Sequence, residues 1–525
     1  MYDILIKNGT VIDGTNKKGF KADIALKKDK IKKIGQLKGI KAKTVIDAKE
    51  QYVAPGFIDI HNHSDSYWTL FTAPSLESML RQGVTTIIGG NCGSSLAPLA
   101  KGHVIVSIQK WADINEVNVD WLDMKEFLGI LEKRSIGLNF GTFVGHSTLR
   151  RGIVGEEFRK LKPKEMKMME RMLEDALDEG AFGLSTGLAY SHAKVAPTEE
   201  ITSLAKVTKK KQGIHVSHIR GEGKGLIPAI EEALSIAKKA KISTEISHLK
   251  AMGKENWPKF AEAIKMIEKA NKDGLNINFD AYPYAVTGSV LYILLPDWVA
   301  EGGKRMLIKR LKDPKTKARV IKEMQESRLY EYNKIIVAIS PADKTFIGKK
   351  ITEIARAQEA SVEEAVINML IASEGRVITF FETLNEDDVK TALKHPLGFI
   401  GSDGSGYNID YYVKRKELLH PRCFGTFPRV LGKYVREEKL MNWEQAIYKM
   451  TGGPAEKIGL KNRGMLKKGN FADITVFDPK TVIDRATFEN PFQYSEGIEY
   501  VIINGKIAVN KGKYTSEMAG KVLRK

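Results

Sequence analysis

Short apolar runs alternate with longer amphipathic segments through the middle of this chain. The runs end in glycines or polar residues and are candidate strands. The segments between them, such as PKEMKMMERMLEDALDEG at 163–180, repeat apolar residues at helical spacing. The pattern predicts eight strands, at 56–63, 84–93, 137–146, 181–188, 213–220, 243–250, 275–284 and 398–404.

Eight successive strand–helix units predict an α/β fold, a (β/α)8 barrel over residues 56–455. The interval between the seventh and eighth strands is much longer than one helix needs, so we expect an inserted subdomain or lid at 285–397. Both ends of the chain carry short β-like runs separated by turns, and Pro55 with Gly56 marks the end of the first set. Residues 1–55 and 456–525 are therefore expected to form one small β-sandwich.

Composition indicates a folded protein with a large core. The chain has 525 residues, 42% of them hydrophobic and 28% charged, with a formal net charge of +19. A charge of that size raises nucleic acid as an alternative partner. However, the lysines are scattered among acids, as in LKDPKTKARVIKEMQESR at 311–328, and basic arms with interleaved aromatics are missing. We therefore expect a solvated lysine-rich surface and no nucleic-acid partner.

Two features bear on the cellular compartment. The chain has only two cysteines, Cys92 and Cys423, too few for a disulfide framework. Its start, MYDILIKNGTVIDG, lacks the pattern of a signal peptide, and no run of about 20 apolar residues occurs. We expect a cytoplasmic protein without a membrane partner.

The segment GFIDIHNHSD at 56–65 carries the first chemical signal. On a strand, the spacing of two directs the side chains of His61 and His63 to the same face, and Asp65 follows closely. A histidine pair without a metal is the alternative interpretation of this segment alone. Further candidates stand at other predicted strand ends, which meet at one end of a barrel. Imidazole, thiolate and carboxylate are good zinc ligands, so the set predicts a metal site: His61, His63, Cys92, His218, His248 and Asp403.

Other candidate residues fit the site less well. His215 stands three residues before His218, and this odd offset turns it to the opposite face, which favours a structural role. Cys423 is not expected to be a ligand. His146, at the end of the third predicted strand, is a candidate donor lining the site, with a structural histidine as the alternative.

Several motifs together resemble one family. PGFIDIHNHSD, GVTTIIGGNCGSSLAP, LSTGLAY, HVSHIRGEG, ISHLK, DAYPY, GSDG and HPRCFGTFPRVLG are similar to the D-aminoacylase (N-acyl-D-amino-acid deacylase) family of the amidohydrolase superfamily, in order over nearly the whole chain. The His-x-His pair alone marks the superfamily, whereas the NCG and HPR-x-x-GTFPR segments are more specific. The resemblance implies a TIM-like metal-dependent hydrolase barrel.

The resemblance also implies the metal ligands. It assigns His61, His63 and Asp403 to one position, and Cys92, His218 and His248 to another, usually the tighter zinc site. Hydantoinase-like relatives commonly bridge two metals with a carboxylated lysine on strand 4. Residues 181–188 contain no lysine, so Cys92 would take the bridging or binding role. One tight Zn²⁺ site is expected, and a second, weaker site is left open.

A substrate carboxylate needs a cationic clamp, for which arginine offers a planar fork. Arg422 matches the carboxylate-binding arginine of the family, and Lys250 could reach the same group. Arg220 and Glu222 are candidates for orienting the metal ligands. Three further positions match family contacts with substrate, core packing being the alternative for the tyrosines: Tyr190, Tyr282 and Ser289.

The resemblance implies zinc-dependent hydrolysis of N-acyl-D-amino acids, with Asp403 as general base and then general acid. A small-molecule N-acyl amino acid is thus the expected partner. A dipeptidase or a cyclic-amide hydrolase of the same superfamily is the alternative enzyme. A scaffold without catalysis is disfavoured because all candidate ligands are present. The sequence leaves open the acyl group, the side-chain preference and whether the chain forms a homo-oligomer.

Overall fold

The eight predicted strands form a closed parallel barrel in the computed structural model, which describes residues 1–100, 117–327, 331–413 and 417–525. Stretches 101–116, 328–330 and 414–416 fall inside the predicted barrel and insertion and lie outside the described residues. The strands are shorter than predicted: Phe57–Asp59, Val84–Gly89, Asn139–Thr142 continued by Val144–Gly145, Gly183–Gly187, Ile214–His218, Thr244–Ile246, Ile277–Ala281 and Gly398–Ile400.

The third strand divides the barrel into two arcs. Its first half pairs with the second strand, Thr86 opposite Asn139, and its second half pairs with the fourth, Val144 opposite Leu184. A parallel bridge between Asn62 and Gly404 joins the first and eighth strands just beyond their ends and closes the ring. The carboxyl ends of all eight strands therefore open at one end of the barrel.

Amphipathic helices surround the barrel. In Pro163–Asp178, for example, Met169, Leu173, Ala176 and Leu177 are buried at helical spacing and face the sheet. The longer outer helices are Met124–Arg134, His146–Val154, Pro163–Asp178, Thr198–Lys210, Leu226–Ala240, Pro258–Lys272, Glu386–Lys394, Trp443–Met450 and Gly452–Ile458. Shorter helical segments are Thr69–Thr72, Glu77–Leu80, Ser191–Lys194, Lys254–Asn256, Ile409–Tyr412, Arg422–Arg429 and the π-helical Val430–Glu437.

Both ends of the chain join one β domain, which confirms the predicted sandwich. Tyr52–Pro55 pairs antiparallel with Ile474–Phe477, with Val53 opposite Val476, so the two halves share a continuous sheet. Side chains such as Ile24 and Ile474 fill a core separate from that of the barrel. The strands are Tyr2–Val11, Phe20–Lys27, Lys30–Gly35, Ala42–Asp47, Tyr52–Pro55, Ile474–Phe477, Ile498–Ile503, Lys506–Asn510 and Lys513–Tyr514.

Within the predicted insertion lies a small unit with its own apolar core. An antiparallel sheet with Ile378–Phe381 at its centre is flanked by Thr287–Val290 and Ile335–Ile339. Its helical segments are Leu291–Leu294, Asp297–Ala300, Gly303–Lys312, Pro314–Ser327, Tyr332–Lys334, Lys344–Phe346, Ile351–Ala357 and Val362–Ala372. Glu386–Lys394 is the last helix of the range 285–397, and its buried residues Val389, Ala392 and Leu393 belong to the barrel core instead.

In the part of the chain that the structure describes, no helix has the length and apolar character needed to cross a bilayer.

Candidate metal centre

The histidine pair lies beyond the first barrel strand, which corrects the prediction that both residues stand on it. The strand ends at Asp59, and two backbone hydrogen bonds then hold the pair: the Asp403 amide donates to the His61 carbonyl at 2.8 Å, and the His63 amide donates to the Gly404 carbonyl at 2.8 Å. Both imidazoles nevertheless face the same space, with ring centroids 5.2 Å apart.

Cys92 stands at the centre of the candidate ligands. It follows the second strand in the turn GGNCG and has a left-handed backbone, with φ of 52°. Its Sγ lies 3.4 Å from His61 Nε2, 3.5 Å from His248 Nε2 and 3.7 Å from His218 Nδ1. Asp65 supports this turn, because its Oδ2 accepts the Gly90 amide at 2.7 Å, so the carboxylate following the histidine pair has a structural contact.

Asp403 joins the histidine pair to the predicted carboxylate clamp. One oxygen, Oδ1, lies 3.0 Å from His63 Nε2 and 3.4 Å from His61 Nε2. The other oxygen, Oδ2, lies 2.7 Å from Nη1 of Arg422. Like Cys92, Asp403 has a left-handed backbone, with φ of 48°.

The charges in the site are strongly coupled. Burial alone would raise the pKa of Cys92, but His61 and His248 outweigh it and lower the pKa of the thiol well below its ordinary value. Burial likewise opposes ionisation of Asp403, yet Arg422 and His248 hold its pKa well below the usual range. For His63, burial lowers the pKa, but the hydrogen bond to Asp403 raises it to about 9. The site therefore favours an ionised thiolate and an ionised carboxylate beside imidazoles.

This donor set fits a zinc ion. One ligand atom each from His61, Cys92, His248 and Asp403 lies within 4.8 Å of the others, and thiolate, imidazole and carboxylate are the donors that zinc accepts. A second group consists of His218, His248 and Glu222. Glu222 thus lies close enough to be a ligand, although the sequence suggested only an orienting role for it.

Asp280 is a functional candidate that sequence reasoning missed. It is fully buried at the end of the seventh strand, its Oδ2 lies 3.0 Å from His61 Nδ1, and its Oδ1 accepts the His248 amide at 3.0 Å. A carboxylate on the outer nitrogen of a ligating imidazole fixes the ring and raises its basicity. The available signal was an acid near the end of the strand LNINFDAY, at the same alternate positions as Asn276 and Asn278.

Four of the five predicted substrate residues line one space beside the candidate ligands, which we call the inner cleft: Tyr190, Lys250, Ser289 and Arg422. Ser289 comes from the insertion, on strand Thr287–Val290. The fifth, Tyr282, lies against the two cations. Its ring centroid is 4.9 Å from Cζ of Arg422 and 5.9 Å from Nζ of Lys250. Lys250 Nζ is also 2.6 Å from Glu222 Oε1 and 2.8 Å from His248 Nδ1.

Two candidates from the sequence lie elsewhere. His146 begins helix His146–Val154, and its Nε2 lies 2.8 Å from Glu200 Oε1, away from the inner cleft; its proposed role as a lining donor is wrong. Arg220 donates two hydrogen bonds of 2.8 Å to Glu232, so it does not orient a candidate ligand directly.

Two further residues behave as the sequence suggested. His215 is buried, and its Nε2 lies 3.1 Å from the Thr186 hydroxyl. Burial lowers its pKa to about 4. Cys423 lies in an apolar cluster outside the candidate ligand groups, and burial raises the pKa of its thiol to about 11.

Comparison with known proteins gives one consistent result. The profile of an amidohydrolase family matches residues 44–509. A D-aminoacylase of Alcaligenes xylosoxydans xylosoxydans is 33% identical over 522 residues, which cover 99% of this chain and 97% of that protein.

Two solved structures align with this chain over 100% of its length and 100% of theirs. The N-acyl-D-glutamate deacylase of Bordetella bronchiseptica, crystallised with zinc and a phosphonate inhibitor that mimics the tetrahedral intermediate, is 31% identical with a TM-score of 0.85. A D-aminoacylase described as having a binuclear metal centre is 32% identical, also with a TM-score of 0.85.

Proposed function

Because the chain belongs to the D-aminoacylase family of the amidohydrolase superfamily, we propose that it hydrolyses N-acyl-D-amino acids to a D-amino acid and a carboxylate. One observation carries the proposal beyond the family's metal-dependent amide hydrolysis. Arg422, which is only 7% exposed, stands beside the candidate metal ligands with Nη1 2.7 Å from Asp403 Oδ2. Its Nε makes no hydrogen bond to the described residues.

A buried guanidinium with free N–H groups is a binding site for a planar anion. Two parallel hydrogen bonds from Arg422 match a carboxylate, and the adjacent ammonium of Lys250 adds positive charge. A clamp at this position holds the α-carboxylate of the amino-acid half, so that the amide bond of the same molecule lies beside Asp403. This supports a linear substrate with a free carboxylate.

We assign six residues to the metal: His61, His63, Cys92, His218, His248 and Asp403. A zinc ion bound there supplies a water of lowered pKa and polarises the scissile carbonyl. The thiolate of Cys92 lies between both sets of imidazoles, so it can ligate an ion at either position.

Proton transfer falls to Asp403. Its lowered pKa keeps the carboxylate ionised at neutral pH, so it can accept a proton from the attacking water. The water oxygen forms a bond to the carbonyl carbon, the C–N bond then breaks, and Asp403 returns the proton to the leaving nitrogen. Arg422 keeps the carboxylate of Asp403 in place throughout these steps.

Tyr190 is the best-placed donor for the oxygen that becomes negative. Its ring lies 4.8 Å from that of His218, and it lines the inner cleft. Burial, with Cys92 nearby, raises its pKa well above the ordinary value, so the hydroxyl keeps its proton. We propose that Tyr190 donates to the oxyanion, with Tyr282 and Ser289 as the remaining substrate contacts.

The test is hydrolysis of matched N-acetyl-D- and N-acetyl-L-amino acids by the zinc-loaded chain, with dipeptides and cyclic amides as further substrates. Preferential hydrolysis of the D series supports the proposal if Cys92→Ala and Asp403→Asn abolish this activity and Cys423→Ala preserves it. Faster turnover of L compounds, of dipeptides or of cyclic amides would overturn it and indicate a different amidohydrolase activity on the same site.

A further inference from the structure

We propose that the substrate-binding cleft selects N-acyl-D-amino acids with uncharged, apolar side chains, an inference that rests on the proposed deacylase function. The relatives described above include both a D-aminoacylase and an enzyme for N-acyl-D-glutamate, so family membership leaves the side-chain class open. The charges that line the cleft supply the argument.

Both cationic side chains that line the inner cleft, among the described residues, are already paired with acids, so neither is free to bind a second carboxylate. Among its described lining residues, histidines aside, the basic groups are Lys250 and Arg422, and the acidic groups are Glu222 and Asp403. Each base lies against one acid, Lys250 at 2.6 Å from Glu222 and Arg422 at 2.7 Å from Asp403. The α-carboxylate already requires Arg422. Lys250 is also held by the ring and the carbonyl of His248, at 2.8 and 3.2 Å.

A larger space, which we call the outer cleft, continues from the inner one. It encloses about 370 Å³, against about 80 Å³ for the inner cleft, and lies between barrel loops and the first segment of the insertion. Five residues line both spaces and form the junction between them: Ala189, Tyr190, Glu222, Met252 and Ile293. The one charged group at this junction, among the described residues, is the carboxylate of Glu222.

The outer cleft is also balanced in charge. Its described lining includes three basic residues, Lys194, Arg220 and Lys224, and three acidic ones, Glu222, Glu255 and Asp297. Lys194 pairs with Asp297, and Arg220 pairs with Glu232. The chain's excess of positive charge therefore lies elsewhere on its surface.

Apolar groups make up much of the remaining outer wall: Val290, Tyr292, Leu295, Pro296 and Ala300. A side chain that passes the junction meets Met252 and Ile293 and then this wall. An apolar side chain gains by leaving water there. An acidic one would lie near Glu222 at the junction, where Lys250 is already paired with that carboxylate, and like charges placed together are strongly unfavourable. Lys224 makes no ion pair with the described residues, but it is exposed on the outer wall and does not line the junction.

The test compares kcat/KM of the zinc-loaded chain for N-acetyl-D-leucine, N-acetyl-D-methionine, N-acetyl-D-glutamate and N-acetyl-D-aspartate. We expect the apolar pair to exceed the acidic pair by at least about 100-fold. Ile293→Lys places a cation at the junction and should shift the glutamate-to-leucine ratio at least about tenfold toward glutamate. Ile293→Met, which is similar in length and uncharged, should leave the ratio unchanged.

The outcomes separate this inference from the proposed function. Turnover of D compounds with glutamate or aspartate equal to or better than leucine overturns the side-chain inference and leaves the deacylase function standing. If L compounds are preferred, the proposed function fails, and the same side-chain comparison in the L series judges the inference. If nothing is hydrolysed, calorimetric binding of N-acetyl-D-leucine and N-acetyl-D-glutamate to the zinc-loaded, unsubstituted chain decides it, with tighter glutamate binding as the contrary result.

Discussion

Replacement of Arg422 by methionine should separate carboxylate binding from the chemistry at the metal. Methionine keeps a flexible apolar stem at a position that is only 7% exposed, but removes the charge and every N–H donor. Two consequences follow from the structure. The substrate carboxylate loses its clamp, and Asp403 loses the cation that stands 2.7 Å from its Oδ2.

The size of the first effect can be worked out from the two donors available. Nη1 faces Asp403, whereas Nε makes no hydrogen bond to the described residues, so a substrate carboxylate can accept two parallel hydrogen bonds from the Nε–Nη2 edge of the guanidinium. A hydrogen bond between charged groups contributes ~1.5–3 kcal/mol, so two contribute ~3–6 kcal/mol. This corresponds to a loss of about 10²–10⁴-fold in kcat/KM. Because the clamp holds ground state and transition state alike, KM should carry most of the loss.

The second effect has its own signature in the pH profile. Arg422 is the largest of the groups that lower the pKa of Asp403 against the opposing effect of burial. Without that cation the pKa of Asp403 rises, and the base becomes protonated at a higher pH. The acid limb of the rate profile should therefore move to higher pH in Arg422→Met, whereas Arg422→Lys should largely keep it in place and lose only the fork geometry.

The assay measures amine release from an N-acetyl-D-amino acid and from its carboxamide, which lacks the carboxylate, with zinc content measured on each protein. At a pH above the acid limb of both proteins, we expect Arg422→Met to lose most of its activity on the acid and little on the carboxamide. Arg429→Met is the matched control, since Arg429 ends the same helix and pairs with Asp484 outside the inner cleft. An equal loss on both substrates would refute the clamp and place Arg422 in the support of Asp403.

Other predictions concern the metal, the base and one buried ion pair. Cys92→Ala should bind zinc at least ~10–100-fold more weakly, measured by metal analysis after dialysis, while Cys423→Ala keeps full occupancy. Asp403→Asn should slow the chemical step about 10²–10⁴-fold, measured in single-turnover assays. Chelation should abolish activity and lower the thermal midpoint in calorimetry, since zinc binds the folded state, whereas an unchanged midpoint would argue against a bound ion. Glu200→Gln leaves the buried Arg150 unpaired and should cost ~3–5 kcal/mol in urea unfolding. Burial opposes ionisation of Glu200, but its partners His146 and Arg150 lower its pKa in the folded protein. The ionised carboxylate therefore stabilises the fold at pH values above the pKa of the unfolded state, and this stabilisation is lost as the pH falls through the folded-state pKa. Glu200→Gln should abolish this pH dependence.

The barrel was predictable because strand-like runs and amphipathic helical segments alternate eight times along the chain, but the strand ends were not. A strand ends where its neighbour stops pairing. The first one stops at Asp59, since its register with the second strand runs only from Phe57 opposite Val84 to Asp59 opposite Ile87. Periodicity within one segment carries no information about that register. The histidine pair consequently lies in a loop, although the inference that both rings share one face holds.

The candidate ligands could be collected from the sequence because a barrel brings all strand ends to one rim. The contacts that other side chains make with these ligands could not be predicted. Asp280 contacts His61 from a strand more than 200 residues later, and the alternation of apolar and polar residues around it resembles that of an ordinary strand. His146 shows the opposite error. It follows a strand closely but begins a helix, and its ring turns to Glu200 on another helix.

Backbone strain links the local sequence to the chemistry of the site. Cys92, His248 and Asp403 all have positive φ, at 52°, 35° and 48°, where residues other than glycine are held at a cost of ~1–3 kcal/mol each. Neighbours maintain these conformations: Asp65 accepts the Gly90 amide in the turn of Cys92, and Asp280 accepts the amide of His248. The same three residues supply a thiolate, an imidazole and a carboxylate to one point. The thiolate and the carboxylate repel each other when both are ionised, and a bound cation offsets that repulsion. Strain therefore occurs where the fold must fix ligand directions before the metal arrives, and this is the part of the site that residue spacing alone does not reveal.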